Sequence, residues 1–217
     1  MPNIIEIPGG AGKEQLYDVW CDPNNMATQM PAMSLSDIEQ SVAYINVDKL
    51  KAAMLTYSGG FTRWSNFFKN CLSLKSLDLH SFPTAGTTNF SGCFQGCQSL
   101  ETLDVTGWNV SSSTNFNTMF SNCYSLTKLD LTGWNTSSAT QMSSMFNGCN
   151  RLAKMWVPST FVATNVTQTV YQPFNTGTGT TTHVYTDAAD ATTQGWTSIN
   201  ANFVMHYNST YNDYLNA

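Results

Sequence analysis

The sequence predicts an α/β repeat solenoid of short parallel strands and short helices, capped at both ends. The first observation behind this is a row of cysteines, Cys71, Cys97, Cys123 and Cys149, each 26 residues from the last. The second is that the apolar positions around them recur at the same step: Leu74, Leu100, Leu126, Leu152; Leu77, Leu103, Leu129, Met155; Phe68, Phe94, Phe120, Phe146; Trp64, Phe90, Phe116, Met142. A fixed period of about 20–50 residues marks a solenoid, propeller or array. The third is composition. The 217 residues are 41% hydrophobic, enough for a core, but only 11% charged, so Ser, Thr, Asn and Gln must supply the polar surface. That is the style of exposed fibres and surface scaffolds.

In chain order, residues 1–34 carry no repeat periodicity and several Pro, Asn and Gly, and are read as an extended N-terminal docking segment. Within it "NIIEI" and "LYDVW" are apolar enough to need a partner surface. Ile4, Ile5, Ile7, Leu16, Tyr17, Val19 and Trp20 are the candidate docking residues, and an extended segment can bind by adding a strand to another chain's sheet edge. Residues 35–60, with apolar Ile38, Val42, Ile45, Leu50 and Met54, predict a helical N-terminal cap.

Residues 61–157 form the array. Each repeat contains L-x-x-L-x-L, as in "LKSLDL", "LETLDV" and "LTKLDL", the pattern of a leucine-rich-repeat strand. Alternation places Leu inward and Asp outward, with strands beginning near Leu77, Leu103 and Leu129. After a Ser/Thr/Asn loop, Met142, Met145, Phe146 and Cys149 fall at intervals of three, four and seven, which predicts one face of a short helix. A single repeat cannot bury its apolar faces, so neighbours must stack and both ends need caps. Residues 158–217 are read as an α+β C-terminal cap, with a strand, a short helix and a strand in "HVYTDAADATTQGWTSINANFVMHYN".

Several chemistries are weighed against packing. The net charge of −5 argues against a nucleic-acid partner, which needs a basic face. No apolar stretch approaches a membrane span, so no membrane insertion is expected. The N-terminus shows no basic region followed by a long apolar one, so no secretory signal is visible. "IIEIPGGAGKE" departs twice from a phosphate-binding loop, at Ile7 and at Glu14. The cysteines occupy one inward column without a repeated His or second Cys, and are expected to be reduced core residues. Trp108 and Trp134, with Phe82 before them, could form a sugar-stacking platform, but their fixed inward register favours packing. His80, His183 and His206 have no partner pattern for base or nucleophile work.

Asp78, Asp104 and Asp130 form an outward column with carboxylates on neighbouring strands about 4.8 Å apart. Lys75, Lys128 and Lys154 lie close enough in sequence to offset the repulsion. A calcium ion is the alternative, although no loop resembles a calcium site. The candidate interaction surface is therefore Asp78, His80, Asp104, Thr106, Asp130, Thr132 and Trp156. No catalytic residue, cofactor or metal site is assigned.

"LDLTGWNTSSATQMSSMFNGCNRLAK" (129–154) and "LDVTGWNVSSSTNFNTMFSNCYSLTK" (103–128) resemble the BspA-like leucine-rich repeats, also seen in Mycoplasma surface lipoproteins, and the likeness covers about residues 61–157. It implies a curved, non-catalytic scaffold on bacterial surfaces or on particles that meet them, including phage virions. The expected function is a non-enzymatic structural or recognition module on a virion, as a capsid or tail decoration or fibre. It would join other virion or surface proteins through the N-terminal segment and meet a host-surface protein or glycan on the solenoid face. A bacterial cell-surface adhesin domain is the second reading. A carbohydrate-active enzyme is the third, and it lacks the pocketed pair of carboxylates such chemistry uses.

Overall fold

The computed structural model describes residues 64–167, 172–174 and 177–217, together with the backbone of two short segments, 5–6 and 44–45. Those segments form β1 (Ile5–Glu6) and β2 (Tyr44–Ile45), which pair antiparallel. A strand at Tyr44–Ile45 differs from the capping helix predicted over 35–60; its surroundings, "SVAYINV", are rich in the β-branched and aromatic residues that favour strands. The remaining residues of 1–34 and 35–60 lie outside the described residues. Of the predicted docking positions only Ile5 is described, as part of β1.

Short parallel strands organise the rest. β3 (Ser76–Asp78) pairs with β4 (Thr102–Asp104), with Leu77 opposite Leu103. β5 (Lys128–Asp130) pairs with β6 (Lys154–Trp156), with Leu129 opposite Met155. In β3, β4 and β5 the central Leu is buried and its neighbours face outward, the alternation expected of a half-buried strand. β7 (Thr182–Tyr185) and β8 (Phe203–His206) extend the second sheet, again parallel, in the order β5-β6-β7-β8. The segment predicted as an α+β cap thus carries the sheet onward, although the 26-residue step is lost there. The stretch between β7 and β8 turns without an α-helix.

The helix predicted at Met142–Cys149 is absent, as are its counterparts in the other repeats; each is a pair of successive turns. Alternate backbone N–H groups serve different partners. Cys93, Gln95 and Cys97 donate to the carbonyls three residues back, at Phe90, Gly92 and Phe94, whereas Phe90, Gly92, Phe94 and Gly96 donate to the next repeat, at Asn115, Asn117, Met119 and Ser121. An α-helix would turn the donors of its second half, such as Phe94 and Gly96, back onto its own carbonyls four residues earlier. Here those donors tie neighbouring repeats together. The geometry requires a left-handed residue in each turn, as type II turns do at their third position. Asn66 and Asn70, Gly92 and Gly96, Thr118 and Asn122, and Ser144 and Gly148 all have positive φ. Between β4 and β5 the strand ladder breaks into two sheets, but on the turn side it runs through, from Phe120 to Met145 and from Asn122 to Asn147.

The core lies between the strands and the turns. Phe68, Phe94, Phe120, Phe146 and Phe174 form a file of stacked rings 5.3, 5.6, 5.8 and 5.6 Å apart. Trp108 and Trp134 stack at 6.1 Å beside it. The one α-helix among the described residues, α1 (Tyr211–Asn216), follows β8. Thr210 caps it: its hydroxyl accepts from the Asp213 N–H, and the Asp213 carboxylate accepts the Thr210 N–H. Such a box satisfies two donors at once, which matters because so short a helix is not stable alone.

Candidate binding face

The outward side of the strands carries the Asp column. The Asp104 carboxylate accepts the N–H and hydroxyl of Thr106 (2.9 and 2.6 Å), and that of Asp130 does the same for Thr132 (2.9 and 2.6 Å). Asp78 accepts the His80 N–H at 2.9 Å. One oxygen of each Asp therefore shapes the turn that follows its strand. His80 Nδ1 lies 2.8 Å from the Thr106 hydroxyl, linking two repeats. Because Thr106 gives its proton to the carboxylate, it accepts from the imidazole.

α1 crosses this face at its β5–β7 end. The Tyr211 hydroxyl donates to Asp130, and that bond, followed by partial burial, pushes the Tyr211 phenol up to about 12. Tyr214 is buried against Lys154, whose ammonium sits 4.9 Å over the ring, and burial raises its phenol further still. Lys154 Nζ also donates to the Ala217 carbonyl at 3.2 Å; burial first, then the Lys128 charge, lowers its pKa. Trp156 meets Tyr211 edge to face at 5.3 Å and is only 6% exposed.

The sequence-nominated residues thus divide. Asp78, His80, Asp104, Thr106 and Thr132 lie on the open part of the face, Asp130 is engaged by Tyr211, and Trp156 is covered by α1. Two grooves flank the helix. One, of about 350 Å³, lies over the break between β4 and β5 and is lined by Glu101, Asp104, Lys128, Asp130, Tyr211 and Tyr214 among others. The other, of about 610 Å³, runs between Gly107–Gly133 and Tyr211.

The residues weighed as chemistry are largely packing. Cys71, Cys93, Cys97, Cys123 and Cys149 are buried free thiols. The thiols of Cys97, Cys123 and Cys149 donate to the carbonyls of Phe68, Phe94 and Phe120 at 2.9–3.1 Å. Trp108 and Trp134 are buried, with indole N–H groups donating to the carbonyls of Leu79 and Val105. Among the described residues no cluster of His, Cys, Asp or Glu is placed to hold a metal ion, and no helix is long and apolar enough to cross a membrane.

Sequence reasoning missed α1 and its two tyrosines; "STYNDYLN" shows a Thr followed three residues later by Asp, a cap signal close to the usual one. It also missed the pairing of His183 with His206, whose Nδ1 and Nε2 lie 2.9 Å apart with Tyr185 stacked on His206.

Residues 62–185, more than half of the chain, match the family described as Mycoplasma protein of unknown function, DUF285. The chain belongs to that family. The DUF285 match spans β3 to β7 and every repeat of the Cys and Phe columns from residue 64 onward, and it stops before β8 and α1. No curated protein and no solved structure matches the chain.

Proposed function

We propose that the chain is a BspA-like leucine-rich-repeat solenoid that works as a non-enzymatic recognition module displayed on a virion or cell surface. The observation that carries the reading is how the residues are spent. The Cys, Trp and Phe columns are committed to the interior, while the strand face keeps an ordered row of Asp, Thr and His side chains around two open grooves. Stacked repeats present such extended surfaces by construction, and low charge with abundant Ser, Thr and Asn suits projection into solvent. The N-terminal segment 1–34 is the proposed attachment to the assembly.

The test is retention of the purified chain on envelope preparations of the host cell. Wild type should be retained, and Asp104→Ala with Thr132→Ala on the strand face should release it. Equal retention of that double variant, or none of the wild type, would remove the support for a recognition role.

A further inference from the structure

We propose that the groove between α1 and the Gly107–Gly133 floor is a binding site for a neutral saccharide. This rests on the recognition reading and names the ligand class of one part of that face. The groove has a volume of about 610 Å³ and is lined by His80, Thr106, Thr132, Trp156, Asp187 and Tyr211 above the two glycines and Pro158. That size falls within the roughly 300–1,000 Å³ of small-molecule sites.

Three features select the ligand. The floor is open at Gly133, where an added side chain would meet nothing nearer than Gly107, at 3.9 Å, while at Gly107 the Ser81 hydroxyl stands 2.8 Å from that position, so a flat ring can approach the peptide plane at Gly133. The wall is aromatic, with Tyr211 40% exposed and Trp156 meeting it edge to face, and such a wall suits the C–H face of a sugar. The rim is rich in acceptors. Thr106 and Thr132 have given their protons to Asp104 and Asp130, and Tyr211 has given its own to Asp130. Asp187 takes the Ser159 N–H and hydroxyl and keeps further lone pairs, since a carboxylate offers about four acceptor sites.

An excess of acceptors along the rim calls for a ligand that brings O–H groups, which a saccharide does along every edge. Asp187 is the one formally charged residue among those lining the groove, with no Lys or Arg beside it, so sialylated, sulfated or phosphorylated ligands would be repelled.

The test is a printed array of neutral, sialylated and sulfated oligosaccharides probed with the full chain. Calorimetry follows with the best neutral trisaccharide. Retention of neutral glycans is expected, with Kd raised tenfold or more by Asp187→Asn and by Tyr211→Ala, and unchanged by Tyr124→Ala, an exposed ring elsewhere. Thermal melting of each variant identifies loss through unfolding. If Tyr211→Ala releases α1, Asp187→Asn and Thr132→Ala still decide the matter. A blank array, preference for acidic glycans, displacement by a Lys/Arg-rich peptide, or indifference to Asp187→Asn and Thr132→Ala would each overturn the proposal. If the array is blank while host envelopes still retain the chain through the strand face, the saccharide falls and the recognition reading stands; if envelopes also fail, both fall.

Discussion

At Cys97, Cys123 and Cys149 the sulfur fills core volume and also caps a carbonyl of the preceding repeat, a second role that no apolar residue of similar size could take. Trp108 and Trp134 use the same device, donating 29 residues back. The inward register of these columns was legible in the spacing alone; the hydrogen bonds were not, because they depend on which carbonyl the turn leaves unspent. Burial pushes the Cys149 thiol up to about 12 and raises Cys93 and Cys123 as well, while Cys71 is raised first by its hydrogen bond with Cys97 and then by burial. All five sulfurs, Cys71, Cys93, Cys97, Cys123 and Cys149, are fully shielded from solvent, so at pH 8 these thiols should be silent to a disulfide-exchange reagent in the native protein. They should react fully once denatured without reductant. Stoichiometric zinc, or fast native reaction of any of these five, would contradict this.

The turns explain why a helix was expected and not found. Intervals of three, four and seven put Met142, Met145, Phe146 and Cys149 on one face either way, since two successive turns advance the chain much as a helix does. The discriminating signal lay at the positions between them, where Asn, Gly, Thr and Ser recur with positive φ. The described side chains there also interlock: a Cβ on Gly96 would lie 2.3 Å from Asn70 Oδ1, and one on Gly148 2.5 Å from Asn122 Oδ1. Gly148→Ala should therefore cost more than the roughly 1–3 kcal/mol of a left-handed non-glycine residue. Adding Asn122→Gly should recover only the steric part; urea midpoints of the four species give the coupling, and a coupling of zero would mean the Asn simply swings away.

α1 makes a pH prediction of its own. The Tyr211 phenol has an ordinary value near 10 and is raised to about 12 in the folded protein. The folded state holds a proton that the unfolded state gives up, so this contribution is complete below about pH 10 and is lost as pH rises toward 12. Stability should fall more steeply across that window in wild type than in Tyr211→Phe, with the cysteines contributing equally to both and Tyr214 losing in the variant only the smallest cause of its shift, the Tyr211 charge. Parallel curves would mean the Tyr211–Asp130 bond is absent in solution.

Across the whole molecule, cohesion runs along the repeat direction. Backbone bonds, thiols, indoles and the Phe file all link one repeat to the next, so stability should behave as a sum of repeat and interface contributions. Phe120→Ala should cost about 3–5 kcal/mol, the usual loss for a buried Phe, read as a shift in the unfolding midpoint. A sharper test removes a whole repeat. Deleting residues 103–128 brings Leu129 into the place of Leu103, Phe146 onto Phe94 and Trp134 into reach of the Leu79 carbonyl, so every column closes over the gap. One Asn–Gly interlock is lost, because Gly148 then follows Gly96. The shortened chain should unfold cooperatively at lower denaturant, with a smaller denaturant dependence in proportion to the surface removed. Deleting half that length should abolish the transition, because it sets strand against turn and brings Leu131 into the register of Thr118, a positive-φ turn position. Equal tolerance of both deletions would mean that the 26-residue register does not hold the protein together.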